Sequence, residues 1–268
     1  METRAIRIAL GIWTVVVVLF LLFPIGLIAV YAFNASDLQG WPITQFSTRW
    51  FGAVWRNQDV RDALWLSVRA GLFATGIAMV LGSAAAFAVH RFHFFGREAI
   101  SFLVVLPIAL PGIITGMALN SFVVNAHFLF PNGFSLRTIV IGHATFCIVI
   151  VYNNVIARLR RTPTSLTEAS MDLGADGWQT FRYVTWPMLS TAVVAGALLA
   201  FALSFDEVIV TYFTAGAQNT LPLWILGAIR QGTNLPQVNV VVALVILLTL
   251  IPVIISVRLA RDTGALGR

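Results

Sequence analysis

Lysine is missing from this sequence, in which all 17 basic residues are arginine. A nucleotide-binding loop needs a lysine on the β- and γ-phosphates, and a Schiff-base enzyme needs a lysine amine, so neither chemistry is open to the chain. Cysteine is nearly missing. The single Cys147 lies inside an apolar run, which excludes an intrachain disulfide and a cysteine-based metal cluster and leaves a small packing residue. Charge is scarce as well: 10% of residues are charged against 59% hydrophobic, with a mean hydropathy of +0.88, so lipid rather than water is the implied solvent. The four histidines are scattered without metal-ligand spacing, and no Ser-His, paired-Asp or His-Glu-x-x-His arrangement falls in an apolar run. A net charge of +6 would suggest nucleic acid for a soluble protein. Here the arginines sit between apolar runs, where they orient a chain in a membrane, so membrane lipid is implied and no nucleic acid.

What is present is a series of six apolar stretches, at about residues 7–33, 62–89, 99–124, 138–157, 188–213 and 238–257. Each has the roughly 20 residues that a helix needs to cross the hydrocarbon core, and only helices satisfy their own backbone there over runs this long. The first stretch is too long for a signal-peptide core and has no small-x-small cleavage site after it, so an uncleaved span is expected. Eleven arginines fall on the side of the two termini and the second and fourth loops, and five on the other, which predicts both termini in the cytoplasm. Ala74, Ala78 and Gly82, like Gly112 and Gly116, recur four apart and suit close helix packing. Pro107 and Pro111 should bend the third span. His143 is expected to be a hydrogen-bonded packing residue, and Asn120 and Asn125 to bond across helices.

The fourth loop, residues 158–187, is patterned like structure. Ser165, Leu166, Thr167 and Glu168 read as a capping box, Gly174 as a helix stop, and Asp176 with Gln179 as a second N-cap, giving two short helices that end at Pro187. The loop resembles the hallmark of permease subunits of type I ABC importers: Glu-Ala-Ala, three residues, Gly, nine residues, Ile, one residue, Leu-Pro. The matching positions are Glu168, Ala169, Ser170, Gly174, Val184, Trp186 and Pro187, with every spacing kept and departures at Ser170, Val184 and Trp186.

That resemblance implies one all-α transmembrane domain over residues 1–268, with six helices and a cytoplasmic coupling helix between the fourth and fifth. It implies that Glu168, Ala169, Met171, Asp172, Leu173 and Gly174 dock on a separate ATPase subunit. ATP and Mg would then belong to two such partner subunits, with no cofactor on this chain. Wider likeness points to the spermidine/putrescine branch, carried by residues 204–211, by Thr214, Ala215 and Gly216, and by residues 221–224. This implies a second homologous permease, an extracytoplasmic binding protein, the bacterial inner membrane and a polyamine cargo.

The residues support a cationic cargo separately. A carboxylate at the centre of a span costs about 2.5–3.5 kcal/mol on insertion scales, so Asp206 and Glu207 call for a cation or a wet cavity, or a buried pair to an arginine on another helix. On a continuous helix Ser204, Glu207, Thr211 and Thr214 would form one polar stripe, favouring Glu207 as pathway-lining. Trp65, Tyr212 and Trp224 could add cation-π contacts or serve as interfacial anchors. The rival readings are an ion-coupled secondary transporter and an ABC permease for another cargo such as Fe(III).

Overall fold

The computed structural model describes residues 4–249, so the expected sixth span is described only as far as Thr249 and its remainder lies outside. The described residues are helical, with one isolated bridge between Asn34 and Phe46. They cluster into two compact units, one from residues up to 61 and from 225 onward, the other Asp62–Trp224.

In the first unit α1 (Arg4–Tyr31) is apolar all round and exposed along almost its whole length, the pattern of a helix solvated by lipid or by another chain. A loop carries the chain to α2 (Arg49–Arg56), and its turn is held by buried Asn34, whose carbonyl accepts from Trp50 Nε1 at 3.0 Å. The unit closes on the helix at Leu235–Thr249 through two amide pairs, Asn57 Nδ2 to Gln237 Oε1 at 2.8 Å and Asn239 Nδ2 to Gln39 Oε1 at 2.7 Å.

The second unit is built on α3 (Gln58–Arg91), α4 (Arg97–Ala109), α5 (Gly112–Asn125) and α6 (Leu136–Arg161). It continues with α7 (Ser165–Asp172), α8 (Gly177–Thr180), a π-helical turn (Phe181–Thr185), α9 (Trp186–Asp206), α10 (Ile209–Thr214) and the start of α11 (Leu221–Gln231). The most deeply buried of these is α6, which packs along α9 and also meets α4 and α10. Two glycines set how close the helices come. A Cβ on Gly82 would stand 2.8 Å from the Ile148 carbonyl oxygen, and one on Gly196 would stand 3.2 Å from Val151 Cα, so α3 and α9 lie against α6 backbone to backbone. Ala74, Ala78 and Cys147 are fully buried in the same core.

Among the described residues four helices are long and apolar enough to cross a bilayer, and α4 with α5 makes a bent apolar pair that would count as a fifth if it is one span. The break is sharper than a proline kink. The pair turns by 104°, because Leu110 is extended ahead of Pro111, as the residue before a proline prefers, and Pro111 itself, with ψ 132°, stays outside the helix and caps α5. Pro107 stays inside α4.

Candidate coupling segment and translocation residues

Residues 158–187 form structure, but not quite as expected. The capping box at Ser165 and Glu168 is absent: the backbone is already helical at Thr164, so Ser165 cannot take the extended conformation that an N-cap side chain needs. Thr164 instead receives the first turn through its carbonyl, which accepts from Glu168 N–H at 3.1 Å and from Thr167 Oγ1 at 2.7 Å. The C-terminus of α7 follows expectation in detail. Gly174 is left-handed at φ +87°, Ala175 N–H donates to Ser170 O at 3.1 Å and Gly174 N–H to Met171 O at 2.9 Å, which together are a Schellman motif. Asp176 then caps α8 reciprocally with Gln179, at 2.8 and 2.9 Å.

Pro187 does not end the run, which continues unbroken as one helix over Gly177–Asp206. Proline lacks an N–H, and its ring would collide with the carbonyl four residues back, here that of Tyr183. Widening the preceding turn relieves the clash. Phe181–Thr185 is π-helical, with Trp186 N–H donating to Phe181 O. Ser170 Oγ lies 3.1 Å from Thr180 Oγ1, which braces the two short helices against each other, while Trp178 stacks on Phe181 at 5.8 Å one turn along.

Glu168, Ala169, Met171, Asp172, Leu173 and Gly174 are all exposed around this turn. Leu173 stands 88% exposed at its tip. A bare leucine on a rigid capped turn, flanked by two carboxylates, is the kind of apolar knob that a partner protein covers.

The polar stripe on the fifth span requires correction. The helix stops at Asp206, and Glu207 is extended at ψ 119°, so Glu207 does not share a continuous helix face with Ser204, Thr211 and Thr214. Its carboxylate instead accepts from Val210 N–H at 2.9 Å and caps the first turn of α10, while its carbonyl accepts from Thr211 Oγ1 at 2.7 Å. Glu207 is half-buried and Asp206 exposed. Neither meets an arginine, since the one ion pair among the described residues joins Arg49 to Asp37. Tyr212 points outward at 60% exposure and Trp224 is buried, so the structure does not gather either of them beside Glu207.

What it does gather is His143. Its Nδ1 lies 2.7 Å from Ser204 Oγ and its Nε2 2.7 Å from Thr211 Oγ1, all three residues being buried. Thr211 spends its only proton on the Glu207 carbonyl, so Nε2 must donate to Thr211, and in the neutral ring Ser204 donates to Nδ1. One imidazole on α6 thus spans the gap between α9 and α10. Thr138 Oγ1 bonds the Thr214 carbonyl at 2.7 Å and Asn120 Nδ2 the Phe213 carbonyl at 2.7 Å, holding the other end of α10. Asn125, by contrast, bonds Ser121 within its own helix. The sequence did signal this cluster faintly: a lone histidine, serine and threonine in apolar runs each require a partner.

Broken helices packed on a buried hub, with an exposed capped turn at one end, are the build of a membrane transport subunit. Residues 78–263 match the family described as binding-protein-dependent transport system inner membrane component. The putrescine transport system permease protein PotI of Escherichia coli (strain K12) is 35% identical, covering 87% of this chain and 85% of its own length. The spermidine/putrescine transport system permease protein PotC of the same organism is 30% identical over 96% and 95%, and that of Haemophilus influenzae 30% identical over 93% and 95%. In fold, the chain matches a crystal structure of a bacterial ABC transporter involved in the import of the acidic polysaccharide alginate, with a TM-score of 0.65 over 98% of both chains at 20% identity. The chain belongs to the type I ABC importer permeases, in the spermidine/putrescine transport family.

Proposed function

We propose that this chain and a second homologous permease line the path of a small organic cation, a polyamine such as putrescine or spermidine, across the bacterial inner membrane. The observation that carries the reading is the likeness to a putrescine permease and to spermidine/putrescine permeases over nearly the whole chain. The carboxylates of Asp206 and Glu207 fit it, because they stand at the end of an apolar helix and have no cationic partner among the described residues. A passing ammonium group would supply what the fold withholds. The sequence also points to Ser204, Thr211, Tyr212 and Trp224 as pathway residues. Of these the exposed Tyr212 is available to a ligand, whereas Ser204 and Thr211 are committed to His143.

In this reading the turn from Glu168 to Gly174 docks on one of two ATPase subunits, which hold the ATP and Mg. A binding protein delivers cargo from the far side, and both termini are cytoplasmic. The test is the intact complex. The chain should copurify from native membranes with two ATPase copies and a second permease, and vesicles carrying that complex should take up radiolabelled putrescine or spermidine only with internal ATP. Uptake driven by a pH gradient through this chain alone would replace the reading with an ion-coupled transporter.

A further inference from the structure

Two cavities lie side by side at the arginine-rich end of the second unit, each of about 350 Å³. They share the side chains of Phe87, Phe181 and Leu189 as a common wall, and the outer one adds basic and hydroxyl side chains to an apolar lining that includes Leu159, Met188 and Met171 of the coupling turn. The outer one is bordered by His90, Arg91 and His93 and by threonines of the loop after α6, and no aspartate or glutamate lines it. Arg97 extends the basic wall by donating to His93 Nδ1 at 3.3 Å, and the charge of Arg160 also acts on His90. No carboxylate pairs with Arg91, Arg97 or Arg160 among the described residues. The inner cavity, between α3 and α9, is almost wholly apolar, reaching Ala84 on one helix and Val193 on the other. From Arg91 to Ala84 the depth along α3 is about 10 Å at 1.5 Å per residue.

A basic mouth without a counter-ion, opening beside an apolar slot that runs into the span, is complementary to an amphiphile with an anionic head. We propose that the paired cavities bind one anionic glycerophospholipid of the leaflet on the arginine-rich side, its phosphate against Arg91 and Arg97 and one acyl chain in the slot beside Ala84. A soluble phosphate would fill the outer cavity and leave the inner one empty. A neutral lipid would fill the slot but leave the guanidinium groups without a partner. Only the anionic lipid satisfies both halves. The assignment does not depend on the identity of the cargo.

The test uses the whole complex, with its ATPase subunits, in nanodiscs of phosphatidylcholine doped with phosphatidylglycerol that carries a photoreactive acyl chain. Crosslinks should map to residues beside Ala84 and Val193, and unlabelled phosphatidylglycerol should compete while phosphatidylcholine and inorganic phosphate do not. Arg91→Gln and Arg97→Gln should each lower labelling about fivefold. Ala84→Trp should remove it by filling the slot, at unchanged ATPase copurification. Equal labelling by a phosphatidylcholine probe, protection by inorganic phosphate, or labelling indifferent to all three substitutions would overturn the assignment. The first two outcomes are read on the unmutated complex, so they decide the matter even if a variant fails to assemble.

Discussion

Replacing His143 by leucine keeps the volume of the buried site while removing both of the hydrogen bonds that tie α9 to α10. The two losses differ. Thr211 keeps its bond to the Glu207 carbonyl, so its share is that of one net bond, whereas Ser204, 3% exposed, is left with a donor and no partner. An orphaned buried hydroxyl costs about 1–3 kcal/mol and a net bond about 1 kcal/mol, while side-chain bonds between membrane helices average about 0.6 kcal/mol. Ser204 can also turn back to the Ala200 carbonyl one turn away, but that oxygen already accepts from Cys147 Sγ at 3.3 Å. Together these give a loss of about 1–3 kcal/mol. The measurement is thermal unfolding of the purified complex in detergent, as a double-mutant cycle with Ser204→Ala. The serine substitution should be destabilising alone and neutral or stabilising beside His143→Leu, because it then deletes the orphan. Uptake should fall further than ATPase binding does, since the junction being loosened carries Glu207. Additive effects in the cycle, or an unchanged unfolding midpoint for His143→Leu, would refute the reasoning.

Gly174→Asp should leave the protein inserted but lower ATPase copurification and stimulated hydrolysis. A Cβ there meets nothing within 4 Å, so the damage comes from forcing an L residue to φ +87° and from the added charge. Gly174→Asn, which tolerates that conformation, should be milder. Converting Asp206 to Asn and Glu207 to Gln should cut polyamine uptake severalfold or more at equal assembly. The glutamine oxygen can still cap Val210 N–H, and the carboxylate attraction that is lost is worth about 1–4 kcal/mol at about 4 Å. Unchanged uptake would remove the pair from the pathway. An impermeant thiol reagent should reach a cysteine placed at Asn132 or Gln218 from outside but not one at Gly96 or Ala175, and the reverse pattern would invert the orientation.

The elements that the sequence reveals are those governed by local rules. Apolar run length locates the spans, and Gly174 and the Asp176–Gln179 pair announce their own backbone geometry because each acts on residues three or four away. The features that stay hidden are tertiary or cooperative. The interruption at Glu207 carries neither glycine nor proline, so a periodicity drawn through residues 204–214 assumes a helix that is not continuous. The interruption exists because Glu207 caps α10 and because His143, 61 and 68 positions away from its two partners, fixes both sides. Pro187 misleads in the opposite direction, as proline stops an α-helix but not one that widens ahead of it.

That widened turn has a mechanical consequence. Because the helix runs on without a break over Gly177–Asp206, 30 residues or about 45 Å, it is longer than the roughly 30 Å hydrocarbon core. A tilt of about 10° displaces one end relative to the other by about 8 Å, given the same rise per residue. At a given tilt the displacement grows with the length of this helix. The helix stops at Glu207, and the residues that follow are held by α6 through His143, so its far end adjoins the one carboxylate among the described residues that is half-buried.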